Sequence, residues 1–207
     1  MDENYWPAVV QLRLAVADLL EELAPEEWDH SSLCAGWRVR DVAGHLSLVP
    51  TITTWDLVRT APRGRFNPHR INTLLAREYG DRPTDAIVAR LRDHAAERRT
   101  ARVLDGRDSL FDVAVHSQDI AVPLGRTLEV PVTSARQGLD RVWEMGWPFR
   151  ARRRLAGLHL RATDTDWERG EGPPVEGTAL ALLLLLTGRT ETARPLLDGP
   201  GVTSISR

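Results

Sequence analysis

Residues 112–119 read DVAVHSQD, an acid, an imidazole and a second acid inside an otherwise apolar run, LFDVAVHSQDIAVPLG. On a helix, residues three and four apart are neighbours, so Asp112, His116 and Asp119 share a face. An acid and a histidine at i and i+4 can grip one metal ion, as the paired histidines of helical HExxH sites do. The same pair can also be a hydrogen-bonded couple on a wet helix face. Phe111, Val113, Ala114, Val115 and Ile120 make most of this helix apolar, which points the polar stripe into a bundle.

A third ligand has to come from another helix. His45, in GWRVRDVAGHLSLV beside the apolar Val42, Leu46 and Val49, is the best donor. The other histidines fit worse: His30 and His69 fall in loops, His94 in the charge-crowded RLRDHAAERR, and His159 in a strand-like stretch. Three ligands of the type His, Asp, His leave a fourth position open, the mark of a catalytic rather than a structural zinc site. Asp119 has two readings: an acceptor that orients a ligand imidazole from behind, or a helix cap or salt-bridge partner of Arg126. Cys34 lacks an evident activating partner and reads as a small buried cysteine before a helix. The arginine cluster at 150–154 reads as a solvated hinge rather than an anion site.

Helical spacing of Val9, Leu12, Ala15, Val16, Leu19, Leu20 and Leu23 predicts a first helix over 6–24. A second spans about 38–59, with Pro50 kinking it or ending its first half. INTLLAREYG is a shorter helix stopped by Gly80. A further helix covers 81–104, and the one bearing Asp112 and His116 covers about 109–122. Four main helices with short connections are the pattern of a bundle, and another helix comes next at about 133–149. The texture then changes. RRRLAGLHLRATDTDWERGEG alternates as strands joined at DTD, PPVEGTALALLLLLTGR reads as a buried helix, and GPGVTSI reads as a last strand. The expected fold is mainly α: a helix bundle over 1–149 and then a small α/β domain over 150–207.

The bulk numbers narrow the function. The chain has 207 residues, 42% of them hydrophobic, enough to bury a good core. A net charge of −2 argues against nucleic acid or an acidic membrane as partner. Every one of the 27 basic residues is arginine, which we read as the codon bias of a GC-rich genome. One cysteine excludes an intramolecular disulfide and fits a cytoplasmic setting. The apolar run from Ala179 is about half of what a membrane span needs.

Two segments together resemble a known family. LCAGWRVRDVAGHL (33–46) and DVAVHSQDIAVPLGR (112–126) look like the two signatures of the mycothiol-dependent maleylpyruvate isomerase-like family, within the DinB/YfiT-like bundle superfamily. EEWDHSSLCAGW and the tail from GLHLRATDTDW onward share that look. The resemblance implies a DinB-like four-helix bundle with a divalent metal, usually zinc. Its ligands match His45, Asp112 and His116 here. The characterised isomerase carries Glu where this chain has the shorter Asp112. The resemblance also implies mycothiol or a similar thiol as co-substrate and a small electrophile as substrate, in an isomerase or S-transferase. An arginine of the tail, Arg161, is a candidate for holding a substrate carboxylate. Two other readings stand beside this one: a non-enzymatic metal- or ligand-binding stress or regulatory protein, and a metal-dependent hydrolase. A monomer or a homodimer is expected.

Overall fold

The computed structural model describes residues 3–98 and 105–205. The chain forms two compact units, Met1–Leu128 and Glu129–Arg207.

The first unit contains α1 (Tyr5–Glu21), α2 (Val39–Leu48), α3 (Thr54–Thr60), α4 (Pro68–Gly80), α5 (Thr84–Asp93) and α6 (Ser109–Ala121). α1 packs on α5 and α6, and α2 on α4, α5 and α6, so α1, α2, α5 and α6 make the bundle and α4 flanks it. Val9, Leu12, Val16 and Leu20 of α1 are buried at helical spacing, as are Val39, Val42 and Leu46 of α2. Pro50 ends α2 rather than kinking it: a 3₁₀ turn over Val49–Thr51 comes next, and α3 restarts at a Thr53 cap whose side chain accepts from the Asp56 amide. α4 begins earlier than expected, because Pro68 occupies its first turn behind the Asn67 cap. The helix expected over 81–104 ends at Asp93, and the part of that expectation beyond 98 lies outside the described residues.

α2 and α4 cross at two glycines. A Cβ on Gly44 would lie 2.3 Å from the Gly80 nitrogen, and one on Gly80 would lie 2.6 Å from the Arg40 carbonyl. Only hydrogen fits there, so the two backbones meet directly, one residue from His45.

The second unit contains α7 (Val132–Glu144), α8 (Ala151–Arg154), β1 (His159–Ala162), β2 (Glu168–Arg169), β3 (Pro174–Gly177), α9 (Ala179–Leu186), α10 (Thr190–Ala193) and β4 (Leu197–Asp198). The sheet order is β2-β1-β3-β4, with β1 and β3 parallel and both edge pairs antiparallel. α9 packs on β1, β3 and α7. Several expectations change here. The sequence pattern places α7 in the bundle, but its buried Ala135, Leu139 and Val142 belong to the second unit, which therefore starts at Glu129 rather than at 150. GPGVTSI is not a strand: Pro200–Ser204 is a 3₁₀ turn, and the last strand is the two-residue β4 before it. The strand β3 lies inside PPVEG, which the sequence pattern gives to the helix. No helix among the described residues is long and apolar enough to cross a membrane.

Candidate metal centre

From Phe111 to Ile120, α6 buries every residue except Asp112 and His116, which are partly open. Those two positions are one helical turn apart, so the helix keeps a single narrow polar stripe. Its start is fixed by Tyr5 of α1, whose hydroxyl donates to the Gly106 carbonyl (3.0 Å) and accepts from the Leu110 amide (3.1 Å). The first turn of α6, where Asp112 sits, is thereby held from outside the helix.

His45 reaches the same place from the last turn of α2. Its Nε2 lies 3.4 Å from Asp112, although 67 residues separate the two along the chain. The Nε2 of His116 lies 3.6 Å from Asp112. One ligand-capable atom from each of His45, Asp112 and His116 lies within 4.8 Å of the others. The sequence-derived trio is thus brought together, and the shorter Asp112 side chain still reaches both imidazoles.

The electrostatics suit a cation. Burial works to raise the Asp112 carboxyl, but the flanking His45 and His116 and the more distant Arg13 outweigh it and hold the group below the usual carboxylate range. An acid between two imidazoles is balanced only when the rings carry protons or a cation stands in for them. The donor set therefore fits a divalent ion such as zinc.

The surroundings are only partly legible in the sequence. Asp119, fully buried, lies behind the His116 ring, 2.7 Å from Nδ1. Arg126 pairs instead with Glu27 at 3.0 Å. Cys34 is half-buried, in the loop before α2, with Sγ 3.1 Å from Asp119 and 3.7 Å from His116 Nδ1. Cys34, His116 and Asp119 form a second cluster of metal-capable side chains. Trp37 stacks on the His116 ring (6.4 Å, 10°) and meets His45 edge-on (5.7 Å), with its indole N–H held by Thr73. Arg13 escapes the sequence reading. It is buried on α1, donates to the Ala95 and Glu97 carbonyls at 2.9 Å each, and sends its charge toward Asp112. A cation on the apolar stripe of Leu12 and Val16 is the signal that could have found it.

The remaining candidates are placed elsewhere. His30 is exposed beside the Ser31 carbonyl, His69 is exposed in the first turn of α4, His94 caps α5, and His159 lies 3.5 Å from Glu168 on the small sheet. Arg161 is engaged by Glu176 of the adjacent strand at 2.7 Å. Arg154 of the arginine cluster donates to the Leu185 and Leu186 carbonyls at the end of α9.

The fold and part of the sequence resemble known proteins. A crystal structure of a mutant of the mycothiol-dependent maleylpyruvate isomerase superposes with a TM-score of 0.64 at 14% identity, over 99% of this chain and 94% of that one. A second crystal structure of that isomerase gives 0.57 at 16% identity, over 90% and 89%. At such identities the likeness is one of fold. No curated protein sequence matches the chain. The family model described as the mycothiol maleylpyruvate isomerase N-terminal domain matches residues 9–110, which include His45 and stop just short of Asp112. Over that segment the chain is similar to the mycothiol maleylpyruvate isomerase N-terminal domain family.

Proposed function

We propose that His45, Asp112 and His116 hold a divalent cation, zinc by preference, at which a low-molecular-weight thiol of the mycothiol type reacts with a small electrophile. The observation that carries this reading is the convergence of two Nε2 atoms and one carboxylate from α2 and α6.

A cation bound there supplies positive charge that converts a thiol to its thiolate near neutral pH. The protein's own residues do the rest. Asp112 contributes the one negative charge of the set, so the loaded site keeps a net positive charge for an incoming thiolate. His45 and His116 offer neutral lone pairs that leave that charge undiminished. Trp37 lies beside both rings, edge-on to His45 and parallel to His116. A thiolate that adds to a conjugated double bond, permits rotation and leaves gives an isomerase; one that stays attached gives an S-transferase.

Metal analysis of the protein purified without chelator is expected to find about one divalent ion per chain. His116→Ala is expected to lose it, with a fall in affinity larger than the about 10- to 100-fold that an outer partner costs. A metal-free wild type would sink the reading. Thiol consumption with a panel of electrophiles, with and without mycothiol, tests the reaction. Ester or amide turnover without added thiol would instead favour metal-dependent hydrolysis.

A further inference from the structure

His116 has two ring nitrogens, and only Nε2 faces Asp112 and His45. We propose that Asp119 and Cys34, which lie behind the ring, are positioning residues. Together they keep the His116 proton on Nδ1 and the Nε2 lone pair toward Asp112, and so set the affinity of the centre for a divalent cation. This rests on the reading of His45, Asp112 and His116 as ligands.

A neutral imidazole has one N–H and one lone pair, and its neighbours decide which nitrogen carries which. The Asp119 carboxylate sits 2.7 Å from Nδ1 and is wholly buried. A carboxylate only accepts, so the contact requires the proton on Nδ1. The other tautomer would set a lone pair against a carboxylate oxygen in a buried place, where such repulsion is least screened. Cys34 adds a second donor to the same oxygen: its S–H points to Asp119 Oδ2 at 3.1 Å, across 85 residues of chain. Two donors on one oxygen fix the carboxylate plane more firmly than the imidazole could alone.

Cys34 is itself held in place. Its amide donates to Ser32 Oγ (3.1 Å), and its carbonyl accepts from the Trp37 amide (2.9 Å). The neighbouring Leu33 amide donates to the Asp119 carbonyl at 3.2 Å. The loop before α2 therefore grips Asp119 by both side chain and backbone, and places Trp37 over the same imidazole.

Two other uses of these residues agree less well with the geometry. A nucleophilic cysteine relay needs the thiol on one ring nitrogen and the acid on the other. Here Cys34 and Asp119 both face Nδ1. A cation on Cys34, His116 and Asp119 would need the Nδ1 lone pair, and so the tautomer that turns Nε2 into a donor.

The test is zinc affinity by competition with a chromogenic chelator, together with the absorption spectrum of the cobalt(II)-loaded full chain. Wild type, Asp119→Asn, Cys34→Ala and Cys34→Ser are compared. Asp119→Asn is expected to weaken zinc binding about 10- to 100-fold and to shift the cobalt ligand-field bands, because the imidazole behind a neutral amide is a weaker donor. Cys34→Ala is expected to weaken it about 2- to 10-fold, the worth of one neutral hydrogen bond. Cys34→Ser keeps a donor and is expected to match the wild type. Asp119→Asn and Cys34→Ala variants that bind like the wild type, with unchanged spectra, overturn the proposal and leave the ligand reading intact. A sulfur-to-cobalt charge-transfer band that vanishes in Cys34→Ser makes Cys34 a ligand and also overturns it. A wild type that takes up no cation overturns the ligand reading itself, before any variant is compared.

Discussion

Helices α6 and α9 are both buried along nearly their whole length, yet they use that burial differently. α9 is apolar at every position from Ala179 to Leu186, and the small sheet and α7 cover it. Around it the charged groups face opposite partners: Arg161 meets Glu176, Arg169 meets Asp140, and Arg154 closes on the carbonyls that end α9. α6 also buries Ser117, Gln118 and Asp119, and it gives up two partly open positions to Asp112 and His116. There the acid meets imidazoles, which are cations only when protonated. The helix that satisfies everything within its unit gives stability. The helix that leaves lone pairs converging gives a place for chemistry.

That contrast can be broken at three points. The first is Leu182, fully buried in α9. Leu182→Ala is expected to lower the free energy of unfolding in urea by about 2–5 kcal/mol and to leave the metal content of the folded protein unchanged. A folded variant that had lost its metal would show that the two helices do not divide the work in this way. Next is the glycine contact that positions α2. Gly44→Ala puts a methyl group where the α4 backbone lies, so it is expected to cost about 1–3 kcal/mol and to weaken metal binding as well, because His45 is the next residue. Loss of stability with unchanged metal affinity would mean that His45 is placed by something other than that crossing.

The smallest effect is expected at Tyr5. Tyr5→Phe removes two hydrogen bonds at the start of α6 and should cost about 1 kcal/mol. It should also change the alkaline limb of the stability curve. Burial, with help from Asp108, Asp105 and Asp112 and against the Leu110 amide, pushes the Tyr5 phenol up to about 12. A group whose value is raised on folding gives stability that is complete below its unfolded value of about 10 and is lost as pH rises through the folded one. Wild type should therefore lose stability between these limits by an amount that Tyr5→Phe lacks. Parallel curves for the two proteins would argue against the burial.

The candidate ligands are legible in the sequence because their signals are local. Asp112 and His116 share a helix face by spacing, and His45 stands out as an imidazole beside an apolar stripe. Helix boundaries at Pro50 and Gly80 are legible for the same reason, though whether Pro50 kinks or ends its helix is decided by the 3₁₀ turn and the Thr53 cap beyond it. Features that depend on partners distant in sequence are not legible in this way. Periodicity shows that α7 buries Ala135, Leu139 and Val142 but not against what, so it does not reveal the unit to which α7 belongs. β3 starts at a proline and ends at a glycine, and its strand geometry comes from lying beside β1. The loop of Cys34 and Trp37 carries no periodicity at all, and its meaning comes from α6 closing over it.

The span between His45 and Asp112 has a consequence for how long the folded molecule survives. Any ion that bridges them ties together points 67 residues apart, a closure the unfolded chain would have to give up. Binding to the native state alone adds RT ln(1 + [M]/Kd) to its stability, about 2.7 kcal/mol at a hundredfold excess over Kd. Resistance to proteolysis of this chain would then rise and fall with the free metal concentration around it.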